Sequence, residues 1–342
     1  MNFLQKNGRA GLQPRRMRHG LHRALAPEAV FAHRLKPLKT EQRNPRSRGL
    51  DRKSTLEILR VLNREDARVA IAVRRELPKI ARAVDAIVKS FRKGGRLFYV
   101  GAGTSGRLAV LDAAECPPTF GTPPKMVQAI IAGGSRAVRG AVEGAEDSAT
   151  NGARDMVNAG LRRGDVVVGL AASGTTPYVL GAMRVANKRG AATIGLTSNS
   201  RSPLARAVDI AIAPDTGPEA IAGSTRLKAG TAQKMVLNLL STASMVRLGR
   251  VYENWMIYVA LTNQKLRQRG ARILEEASGA SVSNAQRALR QAQHVLPVAL
   301  VMLKTGANVH GARRRLQQSS GNVRQALESQ RNKQPRTTRK GK

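Results

Sequence analysis

The chain is poor in cysteine, histidine, rings and acid. Its 342 residues include a single cysteine, and aromatic residues make up only 3%. One thiol, Cys116, excludes an internal disulfide and the disulfide-stapled scaffolds, so a reducing, cytoplasmic setting is the expectation. With few rings to fill a core, Val, Ile, Leu and Ala must do so. The five histidines (His19, His22, His33, His294 and His310) are scattered and lack zinc spacing, so no metal site is expected. No apolar run is long enough to span a bilayer. Acid is scarce too: 22 Asp and Glu stand against 59 Lys and Arg, a formal net charge of +37. Such a charge attracts phosphate and nucleic acid without specificity. It is concentrated in residues 1–53 and in the tail RNKQPRTTRKGK, and no nucleic-acid-binding motif accompanies it.

The most informative stretch is 97–147. A short apolar run, Leu97, Phe98, Tyr99 and Val100, reads as a strand and is followed at once by Gly101, Gly103 and Gly106. A helix is expected over 105–114, stopped by Pro117 and Pro118 with Glu115 near its end. The helix-start amides, the hydroxyls of Thr104 and Ser105, and the bare backbone at Gly103 make a site that favours phosphate. A second carboxylate, Glu146, follows another strand-like run and a Gly133-Gly134 turn. Two carboxylates near a phosphate cradle suit acid/base work on a phosphorylated substrate. The glycine spacing also fits the dinucleotide fingerprint, but the turn is rich in hydroxyls and no acidic ribose ligand follows at the expected distance. On pattern alone, a surface role for Glu115 and a plain turn at Gly103 explain the stretch equally well.

Strand-like runs recur at 97–100, 127–132, 166–170, 193–196 and 210–213, with helical segments between them. This alternation predicts an α/β fold with a parallel sheet covered by helices on both faces. Ahead of it, helices are expected near 56–62, 66–77 and 79–92, the first capped by Asp51, Ser54 or Thr55 and turning Leu56, Ile58, Leu59 and Leu62 inward. After the third strand come Ser173, Gly174, Thr175 and Thr176, a second cradle: N-capping by Ser173 accounts for one hydroxyl, not three in four positions. A long helix with Met235, Val236, Leu239 and Leu240 on its apolar side is expected from a cap at Ser224 or Thr225. Beyond 267 the pattern changes to three or four short helices punctuated by Gly279, Pro297, Gly306 and Gly321. The expected organisation is a basic extension (1–39), a main domain with N-terminal helices (40–267), a small C-terminal helical domain (268–329) and a basic tail (330–342).

The motifs GAGTSGRL, LDAAECPPTFG, IIAGG, AVEGAED, VVVGLAASGTTPYV, GPEAIAGSTRLKAGTAQK and STASMVRLGRVYEN stand in that order. Across residues 40–327 the chain closely resembles the N-acetylmuramic acid 6-phosphate etherases of the sugar isomerase (SIS) superfamily. The resemblance implies an SIS-type fold and a homodimer whose sites take residues from both subunits. It implies a phosphorylated amino sugar as substrate, with no metal or nicotinamide. It also implies cleavage of the ether joining D-lactate to C3 of the sugar. Glu146 would take the C2 proton, while Glu115 would protonate the departing oxygen and then activate water. Gly103, Thr104, Ser105, Ser173, Gly174, Thr175 and Thr176 would hold the substrate, joined by Glu219, Ser224 and Thr225 of the segment that reaches the sugar in SIS proteins. Arg226 and Lys228 are equally readable as solvated helix charges.

The chain departs from the family's pattern at two places. Thr175 stands where the etherases usually carry Arg, and a hydroxyl cannot replace a guanidinium in holding an anion. The YENWMIYV segment, with Trp255 and Tyr258, replaces smaller and acidic residues. Three other functions fit the same fold: a non-catalytic phosphosugar sensor like glucokinase regulatory protein, an aldose-ketose isomerase using Glu219 as base, and a nucleic-acid-binding SIS regulator. Retention of Glu115 and Glu146 argues against the first, and the lack of a helix-turn-helix signature against the last.

Overall fold

The computed structural model describes residues 39–328. The extension expected at 1–39 therefore lies, except for Lys39, outside the described residues, as does the tail expected at 330–342. Two helices lead in, α1 (Thr55–Arg75) and α2 (Leu77–Arg92). The first is one continuous helix where two were expected. Ser54 opens it in a full capping box, accepting from the Glu57 amide while the Glu57 carboxylate accepts from the Ser54 amide. Its buried face carries Val61, Glu65, Val69, Ala72 and Val73, whereas Leu56 and Leu59, expected inward, are exposed. Their turn precedes the part of the helix that meets the core.

The sheet follows in strict alternation: β1 (Leu97–Gly101), α3 (Gly103–Phe120), β2 (Val127–Ile131), α4 (Arg136–Arg139), α5 (Ala149–Asn158), β3 (Val166–Leu170), α6 (Pro177–Lys188), β4 (Ala192–Leu196), α7 (Pro203–Arg206), β5 (Ile210–Ile212) and α8 (Lys228–Arg247). All pairings are parallel and the strand order is β2-β1-β3-β4-β5. Successive strand residues point to opposite faces, and both faces are buried. Leu97, Tyr99, Val166, Val168, Ile194 and Ile212 pack with α2, α3 and α8, while Phe98, Val100 and Val167 pack with α5 and α6. The order reverses between β1 and β3, where a parallel sheet opens its crevice beyond the strand ends.

The prolines do not stop α3. It runs on through Pro117 and Pro118 to Phe120 because Cys116 and Phe120 are anchored in the core. It ends at Gly121, whose left-handed φ of 60° lets its amide reach the Pro117 carbonyl. Five further helices, α9 (Gln264–Ser278), α10 (Val282–Gln291), α11 (Leu296–Thr305), α12 (Val309–Gln318) and α13 (Val323–Glu328), gather around a separate apolar core that includes Ile257, Leu274, Leu289, Leu300 and Leu316. Gly279 and Gly306 end α9 and α11, and Pro297 sits in the first turn of α11. Among the described residues no helix is long and apolar enough to cross a membrane.

Candidate active site

A cleft of about 380 Å³ opens beyond the adjacent ends of β1 and β3. After β1 the chain turns at Ala102, which offers α3 no capping side chain. The helix is nevertheless drawn close to the sheet. A Cβ on Gly101 would lie 2.8 Å from the Gly106 nitrogen, and one on Gly106 would lie 2.5 Å from Ile131 Cγ1. After β3, Thr176 likewise leaves the start of α6 uncapped, with Pro177 in the first turn. Two helix N-termini with unclaimed amides thus meet at one cleft, an arrangement that favours an anion.

Gly103, Thr104, Ser105, Ser173, Thr175 and Thr176 all line this cleft. Thr175 donates from its amide and its hydroxyl to Ser173 Oγ, at 3.2 and 2.9 Å. Gly174 is behind them: its carbonyl accepts from the Leu204 amide, and a Cβ there would sit 2.2 Å from Ser202 Oγ. Thr225 and Gly223 line the cleft; Ser224 does not. Among the described residues no Lys or Arg lines the cleft, so an anion there meets neutral donors.

Three carboxylates share the space. Glu146 and Asp147 come from a short 3₁₀ turn, Ala145–Asp147, that follows a segment held to α3 by Arg107, whose guanidinium donates to the carbonyls of Val138 and Gly140. The third is Glu41, which sequence reasoning missed. Glu115 is not among the lining residues. It is exposed on α3, twelve residues beyond Gly103, or about 18 Å along the helix axis. The two carboxylates expected at one cradle are therefore not brought together within one chain.

Glu219 is held away from the cleft. It is fully buried, and its carboxylate accepts from the amides of Lys228 and Ala229 at 3.0 and 2.9 Å, capping α8 from outside the helix. Burial pushes its pKa up, against the lowering by those two amides. Capped helix and carboxylate satisfy each other, and Glu219 does not line the cleft. Ser224 and Thr225 do not cap α8 either; its N-cap residue is Leu227.

Lys228 is not a solvated charge. It is 1% exposed, and its Nζ donates to Glu65 Oε2 at 2.5 Å and to the Pro218 carbonyl at 2.7 Å. Glu65 also accepts from Asn44 Nδ2 at 2.7 Å and from the Arg46 guanidinium. Burial alone would raise the Glu65 pKa, but Arg46, Lys228 and Asn44 outweigh it and hold the carboxyl at about 2. Cys116 is buried, its thiol pushed up to about 12 by burial and by Asp112 and Glu115, which makes it a packing residue. Among the described residues no three His, Cys, Asp or Glu side chains stand close enough together to hold one metal ion, the three cleft carboxylates included.

Residues 79–187 match the glucokinase regulatory protein N-terminal SIS domain family, and residues 144–243 match the SIS domain family. An N-acetylmuramic acid 6-phosphate etherase of Geobacillus thermodenitrificans is 53% identical over 86% of this chain and 100% of its own. One from Symbiobacterium thermophilum is 55% identical over 80% of this chain and 90% of its own. A solved phosphoheptose isomerase from Francisella tularensis aligns with a TM-score of 0.44 and 21% identity, covering 56% of this chain and 100% of that one. With that identity sustained over nearly the whole of its relatives, the chain belongs to the N-acetylmuramic acid 6-phosphate etherase family.

Proposed function

We propose that this protein is an N-acetylmuramic acid 6-phosphate etherase, a carbon–oxygen lyase acting in the recycling of peptidoglycan sugars. The observation that carries the reading is the meeting, in one cleft, of two uncapped helix N-termini and the carboxylate of Glu146. The helix starts, with the hydroxyls of Thr104, Ser105, Ser173, Thr175 and Thr176, take the 6-phosphate. In the open-chain sugar the C1 aldehyde acidifies the C2 proton. Glu146 removes that proton, the C2–C3 double bond forms, and the C3–O bond breaks. Glu115 protonates the departing oxygen, releasing D-lactate. It then takes a proton from water as the hydroxyl adds at C3; reprotonation of C2 by Glu146 gives N-acetylglucosamine 6-phosphate. Each positioned acid or base contributes about 10²- to 10⁴-fold.

Because Glu115 lies outside the cleft of its own chain, we assign it to the cleft of a second subunit in a homodimer. The free, buried Cys116 supports a cytoplasmic setting. Lactate release from N-acetylmuramic acid 6-phosphate tests the activity. Glu146→Gln and Glu115→Gln should each lower it by about 10²-fold or more while phosphosugar binding stays within about tenfold. A variant with wild-type turnover would remove that residue from the mechanism. Mixing Glu115→Gln subunits with Glu146→Gln subunits should restore activity at one of the two sites of a heterodimer; no recovery in verified heterodimers would refute sharing.

A further inference from the structure

The segment before α1 reaches the cleft. Lys39 pairs with Asp215, and the Thr40 carbonyl accepts from the Gly223 amide at 3.0 Å. Farther along, Asn44 donates to Glu65 and to the Pro218 carbonyl. These bonds pin residues 39–44 along residues 215–223 and leave Glu41 lining the cleft against Gly223, where a Cβ would lie 3.2 Å from Glu41 Oε2. Thr40 Oγ1 donates to Glu41 Oε1 at 3.3 Å, and Oε2 has no donor among the described residues. Its sequence neighbour Lys39 is engaged with Asp215, and among the described residues no cation lines the cleft. Glu41 is thus an acceptor-only group with capacity to spare, facing a ligand space.

The cleft divides by chemistry. Its donors are the two helix starts and their hydroxyls, and its acceptors are Glu41, Glu146 and Asp147. A phosphate is drawn to the donors and repelled by the carboxylates. The rest of an amino sugar phosphate offers hydroxyl and amide N–H donors, which need acceptors. We propose that Glu41 is a substrate-positioning residue whose carboxylate accepts from the hydroxyl or amide groups of the sugar and so sets C2–H against Glu146. The inference rests on the etherase reading of this cleft for its chemical consequence, but the binding role stands on the cleft alone.

The test compares Glu41→Ala and Glu41→Gln in the full chain, with lactate release and the Kd for N-acetylglucosamine 6-phosphate as separate readouts. Alanine should raise KM and Kd about tenfold to a hundredfold, the loss expected for a hydrogen bond to a charged group. Glutamine, which keeps a carbonyl acceptor but loses the charge, should raise KM and Kd less than alanine, by about threefold to tenfold. Two results overturn the proposal: wild-type Kd in the alanine variant, or loss of kcat at unchanged Kd in both variants, which would make Glu41 a proton donor. Thermal unfolding of both variants checks folding; if alanine unfolds, Glu41→Gln decides alone, a rise in Kd of about threefold to tenfold supporting the proposal and a wild-type Kd overturning it. Wild-type protein that binds the phosphosugar but releases no lactate sinks the etherase reading, while the Kd comparison still decides on Glu41. Wild-type protein that does not bind it overturns both.

Discussion

Replacing Lys228 by methionine removes a buried cation from the network that ties α8 to α1 and to both strips beside the cleft. Glu65 would lose its 2.5 Å partner and keep Arg46 and Asn44, and the Pro218 carbonyl would keep only Asn44. Removing one member of a buried ion pair costs about 3–5 kcal/mol; the two remaining partners put this case near the lower end. Linkage gives the same order. A carboxyl at about 2 when folded and about 4.5 when free contributes about 3 kcal/mol at neutral pH, net of burial and shared among Arg46, Lys228 and Asn44, which sets the ceiling for the Lys228 share. The sign follows from the depressed folded value: the contribution is complete above about pH 4.5 and is lost as pH falls from there towards 2. Urea unfolding at pH 7 should show Lys228→Met less stable by about 3 kcal/mol, and between pH 5.5 and 3.5 its stability should fall less steeply than wild type. KM should stay within about threefold, because Lys228 does not line the cleft. A loss under about 1 kcal/mol, or a large rise in KM with intact stability, would refute the structural role in favour of a sugar contact.

One further substitution and one labelling experiment test the frame around the site. Gly174→Ala should destabilise by about 2–4 kcal/mol and lower kcat/KM, since φ is +73° and the new Cβ would lie 2.2 Å from Ser202 Oγ and 2.3 Å from Ser202 Cβ; a wild-type melting curve would contradict this. Cys116, 2% exposed and with its thiol at about 12, should resist iodoacetamide at pH 8 in native protein and label readily in urea, as read by mass spectrometry. Rapid native labelling with loss of activity would argue for a reactive thiol.

The sheet was legible because strands buried on both faces are written as continuous apolar runs, most of them closed within a few residues by glycine or hydroxyl residues. All five runs are strands, within a residue or two of the expected ends. Helix ends were less legible, because packing overrides local signals. Nothing between 62 and 66 breaks the α1 pattern strongly enough to divide it, and the core contacts of Cys116 and Phe120 carry α3 past two prolines. The cradle residues were legible because each follows its strand directly. Lys228 was not: its partner Glu65 is 163 positions away, and no local pattern records such a pairing. The surroundings of Glu219 were hidden for a related reason. Its carboxylate looks free in sequence, yet it is consumed by the amides of a helix that begins nine residues later. Glu41 sits in the TEQRN run at the edge of the resemblance, with no spacing that links it to the glycine loops.

Glu115 shows what a motif leaves unsaid. Glu115 was expected near the phosphate turn even though the helix expected over 105–114 lies between the two. A straight helix puts them about 18 Å apart instead. To bring Glu115 back to its own cleft, α3 would have to unwind about three turns. That would strip Ala109, Ala113, Cys116 and Phe120 from the core, at a cost on the order of 5 kcal/mol or more in apolar burial before any helix bond is counted. Docking a second chain's α3 against the cleft requires no such loss, and it uses the exposed side of the helix, where Glu115 already stands. If both carboxylates act on one substrate, subunit pairing follows from the rigidity of α3.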